Sequence, residues 1–286
     1  MEHYVTLFDS AYLPQGLCLH ASLERFGGEY CLWIVCMDRS SFDVLTAMNL
    51  PHVGLLRVED HLDDALRSAR ASRTVGEFCW TMTPYVFEFV FAKDASIDRL
   101  TYLDADVWFR KSPRRFFQEL ESTGKSVLIT DHGYAAEYDQ SAAYGQYCVQ
   151  FLTFCRRGSE PVRKRWQSQC LEWCFNRAED GKFGDQKYLD TWPDEFEDSV
   201  HVLQDHALML APWNAVRFPY GNAVLWHFHG FKVTRDPATR AYDLNIAAAY
   251  SIPNVVKENV YKPYIEELKS AIARMIPYVS AQEKTA

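Results

Sequence analysis

Three short segments carry side chains whose types and spacing could hold a charged ligand. In YLDADVWF, residues 102–109, an apolar run delivers the carboxylates of Asp104 and Asp106 at i and i+2. They face one side as long as strand geometry persists. Two such groups repel unless a cation or a shared proton satisfies them. A hard divalent ion with positions left open for phosphate oxygens does so. On the tripeptide alone, an Asp pair that caps a turn and faces water reads equally well. The second segment is GKFGDQKYLD, 181–190, where Gly184, Asp185 and Gln186 open a helix or turn. The third is WHFHGFK, 226–232, which puts His227, His229, Gly230 and Lys232 at a strand end. Imidazole ligates metals, and Lys is a point-charge partner for phosphate. Taken singly, the two histidines read better as structural rings in an aromatic loop. Taken together, the three segments hold the groups needed to bind a metal diphosphate and a sugar.

The elements that must position them read as an α/β layer. Residues 3–8 form a first strand, followed by Asp9, Ser10 and Tyr12-Leu13-Pro14, a loop entering a helix with Pro in its first turn. That helix runs to about Phe26 and ends at Gly27-Gly28. The run CLWIVCM, 31–37, suits a strand covered on both faces, and a helix over 40–49 and a strand over 53–58 complete a β-α-β-α-β pattern. Residues 76–93 are apolar nearly all round and so predict a buried helix, which Thr83-Pro84 either kinks or starts with Thr83 as N-cap. Further strands are expected at 126–130, 147–155 and 223–228, and helices at about 160–179 and 263–277, with the last eight residues fraying. The domain reading is 1–240 as one catalytic domain, with 241–286 a helical extension packed on it.

Composition bounds the function classes. The 286 residues include 30 Lys and Arg against 38 Asp and Glu, a net charge of −8, which argues against an electrostatic nucleic-acid binder. No basic n-region with an apolar run opens the chain, and no 18-residue apolar stretch occurs, so neither a secretory signal nor a membrane span is expected. The eight cysteines form no C-x-x-C pair and read as reduced thiols of a cytoplasmic protein; a zinc site on Cys170 and Cys174 lacks further ligands. The last helix mixes Lys262, Lys269 and Arg274 with Glu258, Glu266 and Glu267, the pattern of a packed amphipathic helix, so at most peripheral contact with the inner membrane face is expected. Aromatic residues reach 15% of the chain. Those at 78–89, 166 and 173 are expected in the core, while Trp192, Trp213, Phe218, Tyr220, Trp226, Phe228 and Phe231 crowd the segment beside the candidate site.

In their order and content these motifs resemble the GT-A glycosyltransferases, and within them the retaining glycogenin/galactosyltransferase-like group, glycosyltransferase family 8. The matching residues are Asp9 with Tyr12-Leu13-Pro14, then Tyr102-Leu103-Asp104-Ala105-Asp106, Asp185-Gln186, and His227-Phe228-His229-Gly230. The block EWCFNRAEDGKFGDQKYLDTWP also looks like one found in bacterial enzymes of surface-polysaccharide loci. Lys232 follows Gly230 by two residues, one fewer than in the family, and Cys148-Val149-Gln150 replaces an Asn-Ala-Gly strand. The resemblance implies an α/β GT-A fold, a single Rossmann-like domain with a mixed, mostly parallel sheet. It implies Mn²⁺ or Mg²⁺ on Asp104, Asp106 and His227. Asp9 and Tyr12 would lie near the base, Asp104 at the ribose, and Gln150, His229, Gly230 and Lys232 in the nucleotide and donor site. Asp185 would bind donor-sugar hydroxyls and Gln186 would lie near the anomeric carbon. The implied partners are a nucleotide-sugar donor, most simply a UDP-sugar, and a saccharide or lipid-linked saccharide acceptor, with no nucleic acid.

Two other readings fit parts of the pattern. Phosphatases of the haloacid dehalogenase superfamily pair DxDx(T/V) with a later Gly-Asp. In that reading Asp104 is a nucleophile, Asp106 the acid/base, and Asp185 and Asp190 hold Mg²⁺. Against it, three β-α units precede the motif and no apolar strand precedes Gly184-Asp185. A non-catalytic carbohydrate- or nucleotide-binding protein would keep the fold and use the aromatics as sugar platforms.

Overall fold

The computed structural model describes residues 1–236, 238–246 and 249–283. Its centre is a seven-stranded sheet. Strand β1 (Glu2–Phe8) leads into helix α1 (Leu13–Phe26), then β2 (Tyr30–Cys36), α2 (Arg39–Met48) and β3 (Val53–Arg57). After α3 (Asp64–Ala71), α4 (Val75–Met82) and α5 (Val86–Lys93) the chain returns as β4 (Arg99–Leu103) on the other side of β1. The short strand β5 (Val107–Phe109) and helix α6 (Arg114–Thr123) lead to β6 (Val127–Asp131) and β7 (Tyr147–Cys155). Helix α7 (Glu160–Glu172) precedes β8 (Val200–Val202). The sheet order is β3-β2-β1-β4-β7-β6-β8, parallel from β3 to β4, with β7 antiparallel to both its neighbours.

Both sheet faces are covered, which is why the central strands are buried at nearly every position rather than at alternate ones. Along β1, Tyr4 and Phe8 face one core, which holds α1 and α6. Val5 and Leu7 face the other, which holds α4, α5 and α7. The chain winds away from β1 in one direction through β2 and β3, and in the other through β4. That reversal leaves a crevice beyond the carboxyl ends of β1 and β4, where open α/β sheets bind ligands. Helix α1 approaches this crevice closely: a Cβ on Gly16 would stand 2.4 Å from Phe8 Cζ at the end of β1.

A second sheet lies across the crevice, in the order β5-β10-β9, from β9 (Met209–Leu210) and β10 (Leu225–His227). A hairpin follows, β11 (Phe231–Arg235) with β12 (Tyr242–Ile246), and it spans residue 240, the expected domain boundary. The last helix, α8 (Lys262–Glu283), packs on α1 and α2. Leu268, Ile272 and Met275 are buried along it, as their spacing predicts, and Ile265 is half-buried.

Three expectations change. The apolar segment 76–93 is two helices: Thr83 ends α4 as its C-cap and is not an N-cap, because Pro84 has no N–H to continue the ladder. Helix α7 stops at Glu172, seven residues early. Trp173 turns extended, and Glu77 accepts a hydrogen bond from Asn176 N at 2.8 Å, so residues 173–178 peel away from the helix. Trp173, Cys174 and Arg177 therefore do not share a helix face with Trp166 and Cys170. At the other end α8 does not fray from residue 279 but continues through Pro277 to Glu283, because Tyr278 and Val279 pack on the core; residues 284–286 of the expected frayed tail lie outside the described residues. All eight cysteines are free thiols. Among the described residues, no helix is long and apolar enough to cross a membrane.

Candidate active site

A cleft of about 870 Å³ opens at the crevice beyond β1 and β4. Of the residues expected there, Asp9, Tyr12, Asp104, Asp106, Asp185, Gln186, His227, His229, Gly230 and Lys232 all line it. Gln150 does not.

The acidic pair is brought together by a turn rather than by strand alternation. Beyond Leu103 the chain leaves β4, and Val107 N donates to Asp104 O at 3.3 Å, folding residues 104–107 back on themselves. The turn delivers β5 into the second sheet, where Val107 stands opposite His227 and Phe228 N donates to Asp106 O at 2.9 Å. Sheet register thus sets the imidazole beside the carboxylates. His227 Nε2 lies 3.2 Å from Asp106 Oδ1 and 3.8 Å from Asp104 Oδ2. One ligand atom from each of the three residues falls within 4.8 Å of the others.

Gln150 works from behind. Its side chain is buried on β7, with Oε1 2.6 Å from His227 Nδ1. An amide oxygen there accepts the Nδ1 proton, so Nε2 is the nitrogen turned toward the carboxylates, the one a metal-ligating histidine would use. Tyr102 OH donates to Asp104 Oδ1 at 2.9 Å and orients the first carboxylate. Two carboxylates and an Nε2 with its tautomer fixed form a borderline oxygen/nitrogen donor set, so these residues fit Mn²⁺ and, with less preference, Mg²⁺.

The charges in the cleft depend on one another. Burial pushes Asp104 up to about 7, against the pull of His227, and Asp106 adds repulsion. Burial also opposes the charge on Asp106, but His227 outweighs it and holds Asp106 below the usual carboxylate range. The His227 ring would lose its proton to burial, but contact with Asp106 raises it well above an ordinary histidine. Burial raises the Cys148 thiol, yet His132 and then His227 outweigh it and bring it down to about 6.

Across the cleft, Gly184 adopts φ +51 with its missing Cβ position 3.3 Å from Trp80, a left-handed backbone and a tight approach that favour glycine. The turn it makes buries Asp185 at 3% exposure and leaves Gln186 half-buried, held by its Nε2 donating to Tyr144 O at 2.7 Å. Burial first, and the Asp104 carboxylate second, push Asp185 up to about 8. Its Oδ2 is buried without a hydrogen-bond partner, and the residue lines the cleft. Asp190, the other carboxylate of the phosphatase reading, lies outside the cleft lining and is held by Gln146 N at 2.8 Å and Lys187 Nζ at 2.7 Å. That reading therefore loses its magnesium pair.

Aromatic residues divide differently from the expectation. Of the seven grouped beside the site, only Trp213 lines the cleft; Trp192, Trp226, Phe228 and Phe231 are buried in the core, with Phe218 and Tyr220 packed against it. Trp80, expected in the core, is half-buried at the cleft wall with Tyr144 and Phe183, whose ring centroids lie 4.5 Å apart. The opposite wall holds His132 stacked on Tyr134 at 4.6 Å, beside Trp213 and Tyr250. Trp213 is expected here; sequence reasoning missed Tyr144, Phe183, His132, Tyr134 and Tyr250, and it missed Arg177, which reaches the cleft as α7 ends early. For Phe183 alone a signal existed, since it immediately precedes the Gly-Asp turn.

No family model matches the chain. Two proteins of Bacillus subtilis (strain 168) are similar over most of its length. The uncharacterized protein YfnD is 24% identical over 287 residues, covering 93% of this chain and 88% of that protein. The uncharacterized protein YfnF is 27% identical over 250 residues, covering 80% and 82%. Among solved structures, the galactosyltransferase LgtC, bound to donor and acceptor sugar analogs, matches 94% of this chain and 95% of its own with a TM-score of 0.56 at 13% identity. Mouse xyloside xylosyltransferase 1 matches 79% and 97% with a TM-score of 0.53 at 14% identity. The glycosyltransferase GlyE of Streptococcus pneumoniae TIGR4 matches 98% of this chain and 64% of that one, with a TM-score of 0.53 at 14% identity. At such identities the likeness is one of fold, and the fold of this chain is GT-A, as in these glycosyltransferases.

Proposed function

We propose that this protein is a metal-dependent glycosyltransferase that moves a sugar from a nucleotide-sugar donor, a UDP-sugar, to a hydroxyl of a saccharide acceptor, with retention of configuration. The observation that carries the proposal is the convergence of Asp104, Asp106 and His227 Nε2 at the switch point of a GT-A sheet. The resemblance of the 172–193 segment to enzymes of surface-polysaccharide loci supports a place in bacterial polysaccharide or lipopolysaccharide synthesis. A saccharide acceptor, free or lipid-linked, would be met on the cytoplasmic side, at most at the membrane surface.

Asp104, Asp106 and His227 would hold Mn²⁺ or Mg²⁺. Such an ion supplies Lewis-acid stabilisation of the charge that grows on the leaving diphosphate. The protein's own residues do the rest. Tyr102 and Gln150 fix the ligands. Asp9 accepts from Ala11 N at 3.0 Å, holding the turn that presents Tyr12 at the mouth for the base. Lys232, exposed on β11, meets phosphate as a point charge, with His229 and Gly230 beside it. The unmet Oδ2 of Asp185 binds a donor-sugar hydroxyl, and Gln186 lies next to it at the anomeric carbon. Four carboxylates line the cleft. Two are assigned to the metal position, Asp9 holds its own turn, and Asp185 is assigned to the donor sugar. That leaves no lining carboxylate over as a dedicated general base for inversion, which supports attack on the same face.

The test is a panel of nucleotide sugars scored for nucleoside diphosphate release with Mn²⁺ and with chelator. Metal-dependent release from at least one donor is expected. Absence of both hydrolysis and binding across the panel, with metal present, would overturn the proposal; binding without turnover would favour the non-catalytic reading.

A further inference from the structure

The last helix grips the β5–β10 pair, the strands that adjoin Asp106 and carry His227. Glu267 on α8 accepts three hydrogen bonds: from Arg25 through both guanidinium nitrogens at 2.5 and 2.7 Å, and from Trp108 Nε1 at 2.6 Å. Trp108 is two residues beyond Asp106. One turn earlier, Tyr264 stacks on Phe228 with ring centroids 3.5 Å apart and planes 6° from parallel. Phe228 is the residue after His227. Trp108 stands opposite Trp226 in the β5–β10 register, so both grips act on one antiparallel pair. From α1, Ser22 Oγ accepts from Phe109 N at 3.1 Å and pins the far end of β5.

These contacts use more than burial. The Glu267 carboxylate is 16% exposed and receives a bidentate Arg, the geometry in which a charged pair is fixed in direction as well as distance. Trp108 also lies under the Arg25 guanidinium, 5.7 Å from its ring centroid, which sets the indole on a second side. The two strands are three residues each, too short to hold a register by themselves.

We infer that Glu267 and Tyr264 are positioning residues of the metal site: α8 holds Trp108 and Phe228, and through them sets Asp106 and His227 at ligating distance. The inference rests on the metal-binding reading of the triad.

The experiment titrates Mn²⁺ alone into the full chain, following free Mn²⁺ by electron paramagnetic resonance, with thermal melting in parallel. Glu267→Gln is expected to weaken Mn²⁺ binding about tenfold, the low end of the loss caused by removing an outer-shell partner. Tyr264→Leu should do the same, while Tyr264→Phe, which keeps the stacked ring, should restore wild-type affinity; the Tyr264 hydroxyl has no partner to lose. Met275→Ala is the control, a buried position on the same helix about 12 Å further along. It should lower the melting temperature and leave Mn²⁺ affinity unchanged. Equal weakening by Met275→Ala, or unchanged affinity in Glu267→Gln, would overturn the inference. A wild-type chain that does not bind Mn²⁺ would instead overturn the metal reading on which it rests.

Discussion

The carboxylates and the imidazole reach one point by different routes. Asp104 and Asp106 come from the end of β4, a strand inside the seven-stranded sheet, with Tyr102 and Leu103 buried behind them in the two cores. His227 comes from β10, three residues long, held by register with β5, by Gln150 and by contacts with a helix that begins 35 residues later. The first route is rigid because layers of core enforce it. The second is rigid only while several separate contacts agree. Substitutions along the first route should remove function outright, and those along the second should tune metal affinity.

The largest expected effect is on the first route. Asp106→Asn should abolish Mn²⁺-dependent nucleotide binding and lower turnover about 10³-fold, equivalent to about 4 kcal/mol of transition-state stabilisation. The fold should persist, since the substitution keeps the shape of the side chain and removes a buried charge. Calorimetric titration of UDP in the presence of Mn²⁺ checks it, with circular dichroism for the fold. Unchanged affinity would make the pair structural. Next comes the second route. Gln150→Leu removes the acceptor at His227 Nδ1 and frees the ring to rotate or change tautomer. Mn²⁺ affinity should fall about 10- to 100-fold, as for other partners behind a ligating histidine. Gln150→Glu, which keeps an acceptor, should retain most of it, so a Glu variant as weak as Leu would separate Gln150 from the imidazole.

The same contrast decided what could be read from the sequence. CLWIVCM predicts β2 because a strand buried on both faces needs an unbroken apolar run, and the structure has one there. YLDAD announces the acidic pair because an apolar strand must end before its charges. By contrast β5 and β9 have two or three residues, too few to show any period; β10 falls within the strand expected at 223–228, but the register that joins Val107 to His227 spans 120 positions of chain. The early end of α7 was hidden because its cause, Glu77 capping Asn176 N, is 99 residues away. Gln150 is the instructive case. It is the lone amide in the apolar run YCVQFLTFC, and a buried amide must find a partner. Its presence was visible, but the identity of the partner was not.

A third substitution probes how tightly the first route is built. In Gly16→Ala the new methyl would meet the Phe8 ring at 2.4 Å, so α1 or the end of β1 must shift. Overpacking of this kind costs about 1–3 kcal/mol. A melting curve measures the loss, and Phe8→Leu in the same chain should recover part of it. No recovery would mean that the strain lies elsewhere than at the strand end.

The smallest effect is the one whose sign separates a functional carboxyl from a structural one. Asp185 is buried, and its Oδ2 has no partner. Its acidity in the folded chain moves from 3.8 to about 8, chiefly through burial. Between those two values the folded state holds a proton that the unfolded state has released. Stability therefore falls as the pH rises from about 4 to about 8, and is constant on either side of that window. Asp185→Asn removes the titration. With chelator present, the variant should melt above wild type at pH 8 by at least about 2 °C, the shift that about 1 kcal/mol gives in a chain somewhat smaller than this one. Below about pH 4 the gap should shrink toward zero, because the wild-type carboxyl is then protonated in the unfolded state as well. The variant should at the same time lose donor turnover, because the amide offers a sugar hydroxyl a weaker and differently directed partner. Greater stability with lost activity would mean that the protein tolerates a costly buried acid for its chemistry. A variant less stable than wild type at both pH values would mean that Asp185 is a packing residue and that the sugar contact lies elsewhere on the cleft wall.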